Sequence, residues 1–444
     1  MKNLTDSAAQ LLDLAMKAGA EQASAAAAWN DGIEASARDG VVEEVGRSES
    51  LDLGIRVIIG EKQACVSASS DKPDVLRELA ERAVAMARET PDDPYCGLPD
   101  AAALARDLPE CDLFDPTETD ADTLREMALT ADQAARDVKG IAKTDGSGAN
   151  WSRRRAALVT SNGFSAERQG SFWSASCTAI AGEGLGMERD YAWTSARFRE
   201  DLRDIAEIGR EAGERTVRRL NPRKAKTCSV PVIYDRRLAA SLLGSFLGAI
   251  NGSSVARGSS YLKDKLGEQV FAKGISITDD PHRMRGQASR PFDGEGLPTR
   301  PLELIKDGVL TTWILDVSTG KQLGMESTGS ASFGIGSPPR PSSSNVTLAP
   351  GQRTRADMIA GLEEGFLITE MLGASINATT GDYSRGASGF WIENGEIAYP
   401  VTEATVAGNL IEIFANLDPA EDVPLDRSIA SPSVLVTGLQ TSGE

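Results

Sequence analysis

Residues 235–271 read DRRLAASLLGSFLGAINGSSVARGSSYLKDKLGEQVF, and the fold of the C-terminal half is organised around this stretch. Apolar residues recur at helical spacing up to Ile250, Asp235 can cap the start, and Asn251 with Gly252 forms a stop signal. The pattern predicts a mostly buried helix. Gly244 and Gly248 each cost such a helix about 1 kcal/mol relative to alanine. We therefore expect another element to pack closely against the face that carries them.

Four motifs further along the chain carry a family resemblance. They are DPH at 280–282, PFDGEG at 291–296, IKDG at 305–308 and SRGASGFWIENGEI at 384–397. With the helix above, they resemble the TldD/PmbA family, whose members have also been described as modulators of DNA gyrase. In the TldD branch the helix carries an H-E-x-x-x-H motif, with two histidines as zinc ligands and the glutamate as general base. Here those positions fall on Gly244, Ser245 and Ala249, which cannot bind zinc through a side chain, so the resemblance is to the PmbA (TldE) branch.

The resemblance implies a partner subunit without catalytic residues, metal or cofactor of its own. In the family the TldD-like subunit brings zinc and hydrolyses unfolded peptides, including precursors of small modified peptides, and the PmbA-type chain completes the substrate chamber. The branch that binds zinc takes its third ligand from a cysteine near the C-terminus, where this chain has SIASPS at 428–433. The implied partners are a TldD-like zinc peptidase subunit in a heterodimer, or a second copy in a homodimer, and an unfolded peptide.

The candidate site residues fall into two groups. Gly244, Ser245 and Ala249 form a vestigial active-site face, while Tyr383, Arg385 and His282 are candidates for contact with a peptide or a subunit interface. A wall of the substrate chamber can recognise an extended peptide by strand addition, which reads the backbone and demands little of the sequence. Two alternatives remain open: a metallopeptidase or other hydrolase in its own right, and a structural homodimer without a catalytic partner.

The reactive side chains present in the sequence limit which catalytic and metal-binding sites the chain can form. His282 is the one histidine, so a two-histidine zinc site is excluded and any catalytic triad must use it. Its polar turn, TDDPHR at 278–283, predicts a surface or loop-ordering role, with a catalytic base as the alternative. The chain has no G-x-S-x-G elbow, P-loop or G-x-G-x-x-G fingerprint. The carboxylates of Asp279, Asp280, Asp293 and Glu295 are predicted to be solvated loop charges, with a hard-cation site as the alternative.

Composition bears on partners and compartment. The 444 residues carry a formal net charge of -18 and a pI of about 4.7, which disfavours attraction to nucleic-acid phosphates. The N-terminal residues are polar, and no apolar run approaches the length of a membrane span. The five cysteines are scattered without a C-x-x-C pair, as suits reduced thiols. These features predict a cytoplasmic protein that contacts neither nucleic acid nor a membrane.

The secondary-structure pattern predicts an α+β fold, with antiparallel sheets and flanking helices in the N-terminal region and a strand-rich C-terminal domain. Proline-rich residues 90–116 and a basic linker at 221–226 suggest domains at 1–110, 111–225 and 226–444. The first region reads as a helix at 4–18, five short strands between 22 and 67, and a helix at 75–87. The second reads as a helix at 120–138, strands at 151–181 and a helix at 201–220.

The strand-rich region carries its own turn signals. Asp307-Gly308 and Asn394-Gly395 predict type I′ hairpins, and Trp391 should face the core of the second one. The Gly/Ser-rich residues 327–345 suit either a flexible loop bordering a peptide channel or an ordinary long connection.

Overall fold

The computed structural model describes residues 3–443 and has the α+β architecture predicted from the sequence. Its N-terminal half is one antiparallel sheet of six strands in the order β3-β2-β1-β4-β5-β6. The strands are β1 (Gln22–Arg38), β2 (Val41–Ile59), β3 (Lys62–Ala68), β4 (Ile141–Thr160), β5 (Ser165–Ala181) and β6 (Glu188–Ala196). The helices are α1 (Leu4–Ala18), α2 (Pro73–Glu89), α3 (Ala121–Arg136) and α4 (Ile205–Arg218).

The five short strands predicted between residues 22 and 67 are instead three strands, two of which are long. Asn30, Asp31 and Gly32 are residue types that favour a turn, yet they lie inside β1, which pairs with β2 on one side and β4 on the other. Asp31 is 1% exposed, and its carboxylate accepts a hydrogen bond from Arg153 Nε at 3.1 Å. Pairing on both sides and a buried ion pair therefore override the local turn preference.

The first sheet crosses the predicted boundary at residue 110. Residues 24–37 of β1 pair with residues 147–160 of β4, so regions 1–110 and 111–225 are two halves of one sheet. The proline-rich segment between them has one short 3-10 turn at Ala101–Ala103 as its regular structure. It is a connection within one sheet.

The C-terminal half contains a closed barrel and a second sheet. Its remaining strands are β7 (Arg223–Lys224), β8 (Cys228–Tyr234), β9 (Ile277–Asp279), β10 (Leu302–Lys306), β11 (Val309–Leu310), β12 (Val346–Leu348), β13 (Glu364–Ile376), β14 (Asp382–Glu393), β15 (Glu396–Asn409), β16 (Leu417–Pro419), β17 (Ile429–Ala430) and β18 (Val434–Ser442). Its helices are α5 (Arg236–Ala249), α6 (Gly252–Ala256), α7 (Val317–Leu323), α8 (Arg355–Ala360) and α9 (Leu410–Ala415). Strands β8, β13, β14, β15 and β18 close into a ring because β15 also pairs with β18. The second sheet has the order β11-β10-β9-β12-β17.

Both predicted hairpins are present. Asp307 and Gly308 have φ of 47° and 80°, and Asn394 and Gly395 have φ of 52° and 79°, as type I′ turns require. Trp391 is fully buried, and its ring packs against Phe366 with 5.9 Å between centroids. The predictions for these turns and for Trp391 are confirmed.

The Gly/Ser-rich connection at 327–345 lies against the first sheet. A Cβ built on Gly54 of β2 would fall 1.6 Å from the carbonyl oxygen of Ile335, so the connection approaches β2 as closely as a glycine allows. The guanidinium of Arg168 in β5 lies 4.9 Å from the ring centroid of Phe333. The two halves of the molecule therefore meet along this segment. Within residues 3–443 no helix is long and apolar enough to cross a membrane.

Candidate functional site

Helix α5 is built as the sequence predicts. Asp235 caps its start by accepting a hydrogen bond from Arg237 N at 2.9 Å. The inward face is apolar, and Phe246 meets Phe271 edge-on with 5.1 Å between ring centroids. After Ile250 the chain turns at Asn251, whose side chain caps the short helix α6. The stop signal therefore separates two helices, and α5 is held firmly against the C-terminal core.

The outward face of α5 differs from the expectation. Gly244 and Gly248 are exposed, and a Cβ built on either one has no atom within 4 Å. The prediction of close packing against these glycines is therefore wrong for the described chain. Ser245 is half-buried and its hydroxyl donates to Ser241 O at 3.1 Å, whereas Ala249 is 5% exposed and belongs to the core. A helical step of 100° per residue puts 244, 245 and 248 on the open side and turns 249 inward.

Tyr261 connects this face to a neighbouring turn, and the sequence interpretation missed it. Its hydroxyl lies 3.5 Å from Ser245 O, and its backbone N–H donates to Ala378 O at 2.9 Å. Burial raises the pKa of Tyr261 well above its ordinary value. The available signal was a single aromatic residue in the polar run RGSSYLKDK. Through Tyr261 the turn between β13 and β14 is tied to the middle of α5.

The two β14 residues predicted to make peptide or interface contacts have different surroundings. Tyr383 is 3% exposed inside the barrel, with its hydroxyl 3.5 Å from that of Tyr234 and 3.4 Å from Met371 Sδ. Its ring lies in the core of the single chain, and its contact role stays a prediction. Arg385 is half-buried and donates to Gly373 O at 2.8 Å. Its contact role stays a prediction.

His282 lies in a loop and has no direct contact with α5 among the described hydrogen bonds. Its backbone N–H donates to Asp280 Oδ1 at 2.9 Å, and its Nε2 lies 2.9 Å from Thr299 Oγ1. These contacts tie two loop segments together, as a loop-ordering role for His282 requires. Its role in peptide or interface contact stays a prediction.

Three of the four loop carboxylates are buried, so the prediction of solvated charges is wrong for them. Asp279, Asp293 and Glu295 are 2%, 1% and 4% exposed. Asp293 accepts hydrogen bonds from the backbone of Glu295, Leu297 and Ala331 at 2.9 to 3.1 Å, which explains its burial. Burial, with Asp293 and then Asp316 nearby, raises the pKa of Glu295 to about 8. These carboxylates hold loops together through backbone amides.

The residues at the family's zinc positions do not fit that metal. Residues 428–433 approach the start of α5, where Ser433 Oγ accepts from Arg236 N at 3.2 Å and donates to Asp422 Oδ2 at 2.9 Å. Glycine, serine and alanine on α5 and serines on this segment supply none of the histidine, cysteine or carboxylate ligands that zinc prefers. Across residues 3–443 no group of three or more His, Cys, Asp or Glu side chains is arranged to hold a metal ion.

The α5 N-terminus lies beside a cavity of about 580 Å³, and ion-paired side chains line part of it. Arg237 donates to Asp190 Oδ1 at 2.8 Å and to Asp235 Oδ1 at 3.3 Å, and Arg355 donates to Asp235 Oδ2 at 2.6 Å. These arginines hold the pKa of Asp235 below its ordinary value against the opposing effect of burial. Asp190 belongs to β6 and Arg237 to α5, so their ion pair joins the first sheet to α5.

An antiparallel sheet joined to a closed barrel, with one helix exposing a glycine face, defines a two-part α+β protein. Models of the three PmbA/TldA metallopeptidase domains match it in order: domain 1 at 29–87, the central domain at 114–220 and the C-terminal domain at 227–443. The chain belongs to the PmbA/TldD metallopeptidase family. This confirms the resemblance seen in the sequence.

Relatives and solved structures match this chain over almost its whole length. The metalloprotease PmbA of Escherichia coli O157:H7 is 37% identical over 445 residues, covering 100% of this chain and 97% of the relative. A PmbA homologue from Haemophilus influenzae is 36% identical, covering 97% and 94%. A Bacteroides thetaiotaomicron structure described as a modulator of DNA gyrase is 27% identical, with a TM-score of 0.92, and the match covers 99% and 98%. TldE from Thermococcus kodakarensis shares the fold, with a TM-score of 0.86 at 23% identity over 98% and 100% of the two chains.

Proposed function

We propose that this chain is the non-catalytic subunit of a cytoplasmic two-subunit metallopeptidase. Its partner is a TldD-like zinc peptidase subunit, and the complex acts on unfolded peptides, including precursor peptides. The observation that carries the proposal is the open face of α5, where Gly244 and Gly248 are exposed with room for absent side chains. The relatives named as metalloproteases support the peptidase setting.

The physical role of the face follows from its lack of side chains. Glycine lets another backbone approach more closely than any other residue, so Gly244 and Gly248 suit contact with an extended peptide or with a partner subunit. Ser245 and Tyr261 border this face, and their polar atoms can orient a peptide amide. Hydrolysis itself then belongs to zinc held by the partner subunit.

The first test is the zinc content of this chain purified alone after exposure to zinc and desalting, measured by elemental mass spectrometry. We expect far less than one zinc per chain and no hydrolysis of an unfolded peptide until the zinc subunit is added. Near-stoichiometric zinc with hydrolysis by the chain alone would establish a peptidase in its own right. A stable homodimer that does not bind the zinc subunit would establish the alternative of a structural homodimer without a catalytic partner.

The second test fills the open face. Gly248→Phe should leave the isolated chain folded and should reduce assembly with the zinc subunit or hydrolysis by the complex, because the ring occupies space that is empty in the single chain. Gly186→Phe is the matched control, since Gly186 is also exposed with no atom within 4 Å of a built Cβ. Equal assembly and hydrolysis by both variants would mean that the open face of α5 contacts neither the zinc subunit nor the peptide. Arg385→Ala tests the predicted contact of Arg385 in the same assays.

A further inference from the structure

A second cavity, of about 310 Å³, lies where the first sheet meets loops of the C-terminal half. Four arginines line it: Arg154 on β4, Arg168 on β5, Arg197 after β6 and Arg290 in a C-terminal loop. The other described lining residues are uncharged, so four cations share this space without a carboxylate. In a chain with a net charge of -18, such a concentration of positive charge calls for an explanation.

The strand register brings two of the arginines together. Arg154 is opposite Gly170, and Ala156 is opposite Arg168. Opposite residues of an antiparallel pair share a face, as do alternate residues of one strand, so both arginines rise from one face of the sheet. The small partners leave room between them. A Cβ on Gly170 would lie 3.0 Å from Arg197 Nη1, so the glycine makes space for a third guanidinium.

Two of the arginines have no polar partner in the described chain. No hydrogen bond and no ion pair within 4.0 Å involves the side chain of Arg154 or Arg168 there. Arg168 is positioned by aromatic faces instead, at 4.9 Å from the ring centroid of Phe333 and 6.0 Å from that of Phe292. Burial, followed by Arg154 and the other two arginines, lowers the pKa of Arg168 to about 10. The group is therefore still charged at neutral pH and is held close to like charges.

The other two arginines are solvated by carbonyl oxygens but not neutralised. Arg197 donates to Ser171 O at 3.0 Å and to Gly286 O at 3.4 Å. Arg290 is 9% exposed and donates to Ser342 O at 2.5 Å, yet its Nε is buried without a hydrogen-bond partner in the described chain. A buried donor on a charged group is costly to leave unpaired.

The nearby carboxylates do not balance this charge within the cavity. Asp279 and Asp293 act on Arg290 electrostatically, but neither forms an ion pair with it within 4.0 Å in the described chain. Asp279 accepts from Ser344 N, and Asp293 accepts from Ala331 N and Leu297 N. Joining the two halves of the molecule explains Arg197, but it does not explain Arg168, which is half-buried beside the exposed Arg154.

We propose that this cavity binds a small ligand through a phosphoryl group. Guanidinium forks match the geometry of phosphate oxygens and pair with them in bidentate fashion. A phosphoryl group carries about -1.5 to -2 charges at pH 7, so it offsets more of this cluster than the single charge of a carboxylate. The position at the junction of two parts of the fold is typical of ligand sites, and the volume lies at the small end of their range. This site is separate from α5 and does not depend on the proposed peptidase role.

The test is calorimetric titration of the full chain with inorganic phosphate, glycerol phosphate and acetate, at one ionic strength set with sodium chloride. We expect saturable phosphate binding and at least about tenfold weaker binding of acetate, because one carboxylate makes fewer charge-assisted hydrogen bonds. Binding of glycerol phosphate identifies a phosphomonoester ligand, whereas binding of inorganic phosphate alone identifies the free ion.

Variants assign the binding to the cavity. Arg154→Gln and Arg168→Gln should each weaken phosphate binding about tenfold or more, since each removes a charged donor. Arg154 is exposed, so its variant should keep the fold, which circular dichroism checks. Arg189→Gln is the control, because Arg189 is an exposed strand arginine outside the lining and its variant should bind as the unmodified chain does. Absence of saturable phosphate binding, acetate affinity equal to that of phosphate, or unchanged binding by Arg154→Gln and Arg168→Gln would each overturn the proposal.

Discussion

Replacing both outward glycines of α5 by alanine should stabilise the isolated chain. A glycine costs a helix interior about 1 kcal/mol relative to alanine, and Gly248 lies one residue before the end of α5, so Gly244→Ala with Gly248→Ala is expected to add about 1–2 kcal/mol. Nothing within 4 Å opposes the new methyl groups. For a unit of about 150–250 residues, 1 kcal/mol shifts Tm by about 2–4 °C, so the Tm of the C-terminal half should rise by about 2–8 °C.

A glycine pair with the same spacing in α4 provides the matched control. A Cβ on Gly209 would lie 2.0 Å from Ala131 O, and one on Gly213 would lie 2.8 Å from Val138 Cγ2. Gly209→Ala should therefore destabilise the chain by about 1–3 kcal/mol through overpacking between α3 and α4. Opposite signs for the two helices would show that the α5 glycine face is open and the α4 glycine face is packed.

The assay is scanning calorimetry of each variant alone, followed by assembly with the zinc subunit. We expect the α5 double variant to be more stable alone and weaker in assembly, because the two methyl groups stand where another backbone approaches. Loss of stability in the isolated double variant would contradict this prediction and would mean that the α5 face is already covered. Unchanged assembly of a stabilised double variant would mean that the α5 glycines do not contact the zinc subunit.

Three further predictions concern buried polar groups. Burial raises the pKa of Glu295 from 4.5 to about 8, so its stabilising effect is complete below about pH 4.5 and is lost as pH rises through 8. Urea unfolding from pH 5 to 8 should show the unmodified chain losing up to about 1.4 kcal/mol per pH unit relative to Glu295→Gln, and parallel curves would contradict this. Arg237→Met should cost about 3–5 kcal/mol in the same assay, because it leaves Asp190 and Asp235 less compensated in a buried network, and a loss below 1 kcal/mol would count against that network. Tyr383→Phe should cost about 1 kcal/mol or less and leave assembly unchanged, because its hydroxyl faces the barrel interior. Weakened assembly would instead support the predicted contact role of Tyr383.

Local patterns predicted most helices and hairpins because those elements depend on nearby residues. Helix α1 has the bounds expected from its apolar spacing, and the Asp307-Gly308 and Asn394-Gly395 turns carry the required positive φ. The long strands were harder to predict. A turn signal at Asn30 to Gly32 is decisive only when the chain is free to turn there, and pairing with β2 and β4 removes that freedom.

The environment of a site residue depends on which distant segments meet it. Gly209 and Gly213 have the same spacing as Gly244 and Gly248, yet one pair is packed against α3 and the other is open. Sequence spacing alone cannot distinguish these cases. The buried carboxylate of Asp293 likewise depends on Ala331 N, a partner 38 positions away. The four arginines of the cavity come from four separate segments, so no local motif marks it.

The closure of the barrel also bears on how the chain is made. Strand β8 lies between β13 and β18, and Tyr234 is opposite Val434, two hundred positions later. During synthesis the apolar face of α5 emerges from the ribosome well before the strands that cover it. Contacts between such distant segments form slowly, and the apolar surface exposed in the interval favours aggregation. The barrel core can thus form only late in synthesis, once β18 has emerged to pair with β8.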